Sequence, residues 1–258
     1  ALKGENYSES MFRLSERILG TSLNRNVSSE IRFDNVTEFA EYIGKGKRRV
    51  QEMKDKHGEK PIIWLGTKTV GSVNRMPQSY TPQQDFWEEL VEELKGRYAF
   101  YELLGPEDKP VSDRVEHGNG NSHFAFNSEI LKACAAGIGL DGMQIELAHA
   151  LGNSRMVILL GPTHPRAVVY PGFEEQMLTI PSFSDFERLN YCRGCGMVGY
   201  ANGASYKEKL EVMRTRQKGF ELDEETDCRR LKKREYAYDC WRNLDVKEIR
   251  TKLAGLVK

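Results

Sequence analysis

The sequence predicts an α/β fold built on a doubly wound parallel sheet. Short apolar runs, which suit strands buried on both faces, alternate with longer segments of helical periodicity. The predicted strands are Ile62 to Leu65, Tyr98 to Leu104, Gly137 to Asp141 and Val157 to Leu160. Strands and helices that alternate at this spacing indicate βαβ units and therefore a parallel sheet.

Helices are predicted between these strands and at both ends of the chain. Helical spacing near residue 40 has Asp34 or Asn35 as its expected N-cap, and a highly charged, solvated helix follows and ends at Gly58. The remaining predicted helices are Pro82 to Lys95, Ile130 to Ala135, and residues 143–151, 205–219 and 245–257. The last helix carries an apolar stripe of Val246, Ile249, Leu253 and Leu256.

Composition divides the chain into three predicted parts. Residues 1–59 form a polar helical segment, and residues 60–184 form the α/β domain. Residues 185–258 form a charged tail that contains most of the cysteines and the closing helix. Ligands of doubly wound sheets bind beyond the carboxyl ends of the strands, so the loops after the four predicted strands are the candidate binding loops.

The charge balance disfavours nucleic acid as a partner. The 258 residues include 38 Lys and Arg against 38 Asp and Glu, whereas nucleic-acid-binding domains usually carry a basic excess. No apolar run approaches the roughly 20 residues that span a bilayer. The N-terminus lacks a signal-peptide pattern, so a cytoplasmic location is expected. It also lacks a starting Met, which indicates a processed or shortened chain.

Four of the five cysteines predict a structural metal site. A Cys-x2-Cys pair lets two thiolates reach one ion, and two later cysteines complete a tetrahedron that suits zinc or a single iron. The predicted ligands are Cys192, Cys195, Cys228 and Cys240. A redox pair or unrelated free thiols are the alternatives. Cys134 lies among apolar residues and is expected in the core.

The strongest candidate binding loop follows the third predicted strand. Asp141 ends that strand and a helix begins at once. A helix N-terminus offers backbone N–H groups and partial positive charge, and both suit a diphosphate. Asp141 could orient this loop or accept a hydrogen bond from a donor hydroxyl. The alternative, at about even odds, is that Asp141 only caps the helix.

The other three loops carry weaker signals. Gly161 to Pro165 places the Thr163 hydroxyl and backbone amides after a strand, and Gly66 to Pro77 carries Lys68 and Arg75, which could neutralise a diphosphate. Glu107 could accept hydrogen bonds from both hydroxyls of a ribose. Each loop can also be an ordinary solvated turn.

Taken in order, these motifs resemble the C-terminal half of the family that contains the ADP-heptose:lipopolysaccharide heptosyltransferases. The match covers about residues 60–258. The motifs that carry it are Asn74-Arg75-Met76-Pro77, Gly105-Pro106-Glu107, Asp141 with Ala150-Leu151-Gly152, Gly161-Pro162-Thr163-His164-Pro165, and the cysteine pattern before a closing helix. The resemblance implies a Rossmann-like half of a GT-B fold, the architecture in which two such domains face each other across a cleft.

The resemblance also implies a function and a set of binding residues. It predicts a glycosyltransferase portion that binds a nucleoside diphosphate sugar, by analogy ADP-heptose, and transfers the sugar to a glycan or protein. The predicted donor-binding residues are Asn74, Arg75, Glu107, Asp141, Gly142, Glu146, Gly161, Thr163 and His164. The four-cysteine pattern resembles the iron site of heptosyltransferases that modify autotransporter proteins.

Two features depart from that family. Glu146 stands where the family usually has His, and Asn74 where it usually has a phosphate-binding Lys. Nothing before residue 60 resembles the acceptor domain that supplies the family's catalytic base, so that domain is expected on another segment or chain, and no catalytic residue is assigned. The alternatives are an inactive nucleotide-sugar-binding or scaffold protein and, less favoured, a zinc-ribbon nucleic-acid-binding protein.

Overall fold

A six-stranded, fully parallel sheet organises the part of the chain that the structure describes. In the computed structural model these are residues 37–67, 82, 84–105, 108–118, 123–160, 165–182, 184 and 244–257. The strands are β1 (Ile62–Gly66), β2 (Ala99–Glu102), β3 (Glu116–His117), β4 (Ala136–Leu140), β5 (Met156–Leu159) and β6 (Met177–Ile180). Their spatial order is β3-β2-β1-β4-β5-β6. This is the strand order of the Rossmann fold, which confirms the predicted doubly wound architecture.

The chain changes direction across the sheet at β1. It first builds outward from β1 to β2 and β3, and then returns to place β4 on the other side of β1. In register, Leu65 of β1 lies between Glu102 of β2 and Ile138 of β4. The loops that leave β1 and β4 therefore diverge at their carboxyl ends, which creates the topological switch point where ligands of such sheets bind.

Helices cover both faces of the sheet. The helices are α1 (Ala40–His57), α2 (Gln84–Leu94), α3 (Phe124–Ala133), α4 (Met143–Ala150), α5 (Pro165–Val168) and α6 (Val246–Leu256), and a 3-10 turn (Thr37–Phe39) precedes α1. Side chains of α2 and α6 pack on one face with Ile63 and Leu65. Side chains of α1, α3 and α4 pack on the other face with Ile62 and Trp64. None of these described helices is both long and apolar enough to cross a bilayer.

The closing helix α6 belongs to the core of the sheet. The predicted stripe of Val246, Ile249, Leu253 and Leu256 is buried in full. It joins the cluster that contains Val157 and Leu159 of β5. The Asp245 side chain caps the helix by accepting a 2.8 Å hydrogen bond from the Lys247 amide. The boundary drawn at residue 185 stays a prediction, but α6 packs on the α/β domain.

The two glycines of β4 make room for a tryptophan of β1. Trp64 is fully buried, and its ring lies over Gly137 and Gly139. A Cβ at Gly137 would lie 1.8 Å from Trp64 Cε2, and a Cβ at Gly139 would lie 2.8 Å from Cζ3. Both glycines are therefore required by close packing beside the switch point.

A half-buried carboxylate on β3 holds the short edge strand to α1. Glu116 accepts hydrogen bonds from Arg49 at 2.6 Å and Lys56 at 2.5 Å, and its Oε1 lies 3.1 Å from His57 Nε2. Burial raises the pKa of Glu116, but its hydrogen bonds with Lys56 and His57 and the charges of Arg49 and Lys56 outweigh burial and leave that pKa below its usual value. Helix α1 was predicted to be a solvated helix. It instead contacts β3 through these polar side chains and buries Met53 in the core.

The structure corrects several details of the sequence prediction. Gly58 ends α1 with a positive φ of 63°, as predicted. Helix α1 itself starts at Ala40 after the 3-10 turn, and the caps predicted at Asp34 or Asn35 lie outside the described residues. Strands β3 and β6 were not predicted. Helix α3 ends at Ala133, one residue before Cys134, which is buried as expected.

Candidate functional site

The first turn of α4 lies against the end of β1. A Cβ at Gly66, the last residue of β1, would meet the Trp64 ring at 3.3 Å and the Gln144 Cβ at 3.4 Å. The first turn of α4 therefore lies within side-chain contact distance of Gly66. This contact brings the N-terminus of α4 to the switch point between β1 and β4, as the sequence predicted for the helix that follows Asp141.

Gly142, not Asp141, is the N-cap of α4. Gly142 has an extended backbone and, as a glycine, no side chain to cap the helix. The Ile145 amide donates to the Gly142 carbonyl at 3.0 Å. The role of Asp141, as a donor-binding residue or as a helix cap, stays a prediction. A helix N-terminus carries backbone N–H groups and partial positive charge, here at the carboxyl end of the sheet.

Glu146 occupies the second turn of the same helix, beside Asp141. The Tyr170 hydroxyl donates a hydrogen bond to Glu146 Oε2. Desolvation by the surrounding atoms raises the pKa of Glu146 above its usual value, and the Asp141 charge raises it further, although the hydrogen bond from Tyr170 opposes both. The side chain keeps contact with solvent. The structure thus places Asp141, Gly142 and Glu146 together at one edge of the sheet.

His149, in the same helix as Glu146, is a packing residue. Its ring stacks on Tyr170 at 4.0 Å and meets Phe173 edge-on at 4.7 Å. Its Nδ1 lies 2.8 Å from the Ser154 hydroxyl. Burial lowers the pKa of His149, which favours the neutral ring. The prediction that His149 is packed rather than catalytic is consistent with these contacts.

A second polar group at this edge was missed by the sequence analysis. Glu102, the last residue of β2, is fully buried and accepts hydrogen bonds from the Thr67 hydroxyl and, at 2.8 Å, from the Val111 amide. Thr67 is buried as well and is the first residue after β1. The signal that could have found Glu102 is an acidic residue at the end of a strand that is otherwise apolar.

Most of the other predicted site residues lie outside the described residues. These are Asn74, Arg75, Glu107, Gly161, Thr163, His164, Cys192, Cys195, Cys228 and Cys240. Among the residues that are described, no group of three or more His, Cys, Asp or Glu side chains could hold a metal ion. The four-cysteine site and its zinc or iron remain predictions.

The arrangement of strands and helices has a counterpart among solved structures. It is similar to the crystal structure of the glycosyl transferase family 9 from Veillonella parvula DSM 2008, with a TM-score of 0.57 and 13% sequence identity. This chain therefore shares the fold of the matched part of that structure. The likeness covers 98% of this chain but only 60% of the Veillonella chain, so the chain spans less than two thirds of that family 9 structure.

A second similar structure is the dodecameric iron-containing heptosyltransferase TibC in complex with ADP-D-β-D-heptose. The TM-score is 0.44 and the identity 14%, over 77% of this chain and 46% of TibC. No family model and no curated protein matches the sequence. The similarity to the Veillonella structure confirms the fold that the sequence motifs predicted, while the sugar and the acceptor need separate arguments.

Proposed function

We propose that this chain is the donor-binding part of a glycosyltransferase that uses a nucleoside diphosphate sugar. The observation that carries the proposal is the N-terminus of α4, which begins at a glycine N-cap and lies at the switch point of a sheet that is similar to a family 9 glycosyltransferase structure. Helix N-termini at such positions bind phosphate groups through backbone N–H groups and the helix dipole. The motifs shared with heptosyltransferases make ADP-heptose the first donor to test.

Each predicted residue takes a role that follows from its chemistry. The amides that follow Gly142 bind the diphosphate, and Asp141 accepts a hydrogen bond from a sugar hydroxyl. Glu107 binds the ribose. Asn74, Arg75, Gly161, Thr163 and His164 border the diphosphate from the loops after β1 and β5. Positive charge fixed around the leaving diphosphate lowers the barrier to its departure, and the base that activates the acceptor comes from another domain.

Gly142→Asp is expected to separate nucleotide binding from stability. An Asp at the N-cap is more stabilising than a Gly by only about a few tenths of a kcal/mol, so the melting temperature should hold or rise slightly. The same carboxylate occupies the phosphate-binding amides and repels the phosphates, so the affinity for nucleotide should fall at least about tenfold. Calorimetric titration with ADP, UDP and GDP, and a thermal melt of each variant, measure the two effects.

Gly142→Ala is the matched control, because it adds a Cβ without a cap or a charge. It should bind nucleotide far better than Gly142→Asp does. Asp141→Ala should weaken the sugar nucleotide more than the free nucleotide, since its proposed partner is a sugar hydroxyl. A folded wild-type chain that binds none of the three nucleotides would contradict the proposed function and favour the scaffold alternative.

Glu146→Gln is expected to tighten nucleotide binding in a pH-dependent way. Ionised Glu146 repels a diphosphate at α4, so binding favours its protonated form, and affinity should increase as pH falls through the raised pKa of this carboxyl. Glutamine has no charge to repel. With allowance for solvent screening, the variant should bind about fivefold tighter than wild type at pH 8. The dissociation constants of the variant and of the wild type should converge as the pH falls towards 5.

Taking the ratio of the two dissociation constants cancels the titration of the nucleotide's own phosphates. Because Tyr170 orients the Glu146 carboxyl, Tyr170→Phe measured alongside tests whether the hydrogen bond matters. A ratio that stays constant between pH 5 and pH 8 would show that Glu146 does not face the bound phosphates.

A further inference from the structure

Glu102 places a carboxyl group in the interior of the protein, at the end of β2, where burial is unfavourable. It is 0% exposed, and it ends a strand whose other residues, Ala99, Phe100 and Tyr101, are buried and mostly apolar. Burying a charge costs free energy unless hydrogen bonds satisfy it, and apolar residues of similar volume often stabilise such positions better. Stability alone therefore does not account for an acid here.

The hydrogen bonds of Glu102 join two segments that the strand ladder does not fix. One carboxylate oxygen accepts from the Thr67 hydroxyl, just after β1, and the other accepts from the Val111 amide, in the segment between β2 and β3. The Leu103 amide also donates to the Leu65 carbonyl at 2.9 Å. Glu102 thus extends the attachment of β1 to β2 by two residues, from Leu65 to Thr67.

Thr67 is one residue from the contact that forms the proposed nucleotide site. It follows Gly66, whose Cα faces Gln144 in the first turn of α4. A shift of Thr67 would move Gly66 and open or close its approach to α4. Thr67 is only 2% exposed. Its hydroxyl therefore acts from within the protein and does not contact a ligand.

We infer that Glu102, through its hydrogen bond to Thr67, is a positioning residue that holds the end of β1 against α4 for nucleotide binding. This role rests on the proposed function, because it concerns the same site. Glu102 is 0% exposed and its two oxygens accept from Thr67 and Val111, so its effect on the nucleotide site passes through Thr67. The bond fixes where the loop after β1 begins.

The test is the nucleotide affinity of Thr67→Val, which removes the hydroxyl and keeps the shape of the side chain. We expect affinity to fall about tenfold, and Thr67→Ser, which restores the hydroxyl, to stay within about twofold of wild type. If Thr67→Val does not fold, Thr67→Ala makes the same comparison with a smaller side chain. Calorimetry with whichever of ADP, UDP and GDP binds the wild-type chain provides the measurement.

Asn153 offers a matched control at the opposite edge of the sheet. It is also buried, and its Nδ2 donates to the carbonyls of Leu131 at 2.8 Å and Cys134 at 2.9 Å. Asn153→Ala should lower the melting temperature yet keep the wild-type affinity. Wild-type affinity in Thr67→Val, or an equal loss in Asn153→Ala, would overturn the positioning role alone. A wild-type chain that binds no nucleotide would overturn the proposed function and this role with it.

Discussion

Gly137→Ala should destabilise this protein by about 3 kcal/mol or more, at the upper end of what overpacking a core usually costs. The new Cβ would lie 1.8 Å from Trp64 Cε2 and 2.2 Å from Trp64 Nε1, far inside van der Waals contact. Trp64 is 0% exposed, so other side chains surround its ring and would have to move with it. A loss of this size lowers the melting temperature of a domain this large by about 6–12 °C. A thermal melt followed by circular dichroism measures it.

Gly255→Ala is the control for the general effect of removing a glycine. Gly255 lies in α6, and a Cβ there would meet nothing within 4 Å. This change should stabilise the protein by about 0.5–1 kcal/mol, because alanine loses less backbone freedom in a helix. Adding Trp64→Leu to the Gly137→Ala variant should recover part of the stability that Gly137→Ala loses, because the smaller side chain no longer meets the new Cβ. A Gly137→Ala variant that melts like wild type would contradict the packing of Trp64 over β4.

Leu253→Ala should cost about 2–5 kcal/mol, the usual range for emptying a fully buried leucine site. Leu253 is 0% exposed on the face of α6 that joins the core with Val157 and Leu159. Leu253→Asp should prevent folding, since it would bury a charge in that apolar cluster. Chemical denaturation measures the first variant, and recovery of soluble protein measures the second.

Thr251→Ala, on the exposed side of the same helix, controls for the helix itself. Its hydroxyl only donates to the Lys247 carbonyl within α6, at 2.9 Å, so the substitution should change stability by less than about 0.5 kcal/mol. If Leu253→Ala were as mild as Thr251→Ala, α6 would not pack on the sheet, and its assignment to the core would be wrong.

The sequence predicted those elements whose physical signal is local. Strands β1, β2, β4 and β5 are buried on both faces, so each appears as a continuous apolar run. Strand β3 gives no such signal, because it is only Glu116 and His117 and is held by ion pairs with α1. Strand β6 is short and contains Thr179, so it did not stand out either.

The candidate site was predictable only where it depends on topology. The carboxyl end of β4 and the helix after it were located correctly, because a strand that ends in Asp141 and is followed at once by a helix places both at the ligand edge. The bond between Glu102 and Thr67 joins residues 35 positions apart, so no local pattern could reveal it. Likewise, the need for glycine at two positions of β4 follows only from the packing of Trp64 on the neighbouring strand.

The burial of α6 changes how the cysteine-bearing stretch should be regarded. The chain leaves the sheet after β6 and returns to the same core at Val246, so both ends of the intervening stretch are fastened to one folded body. It is therefore an insertion and not a free tail. A single proteolytic cut within it should leave α6 attached, with two fragments that co-purify.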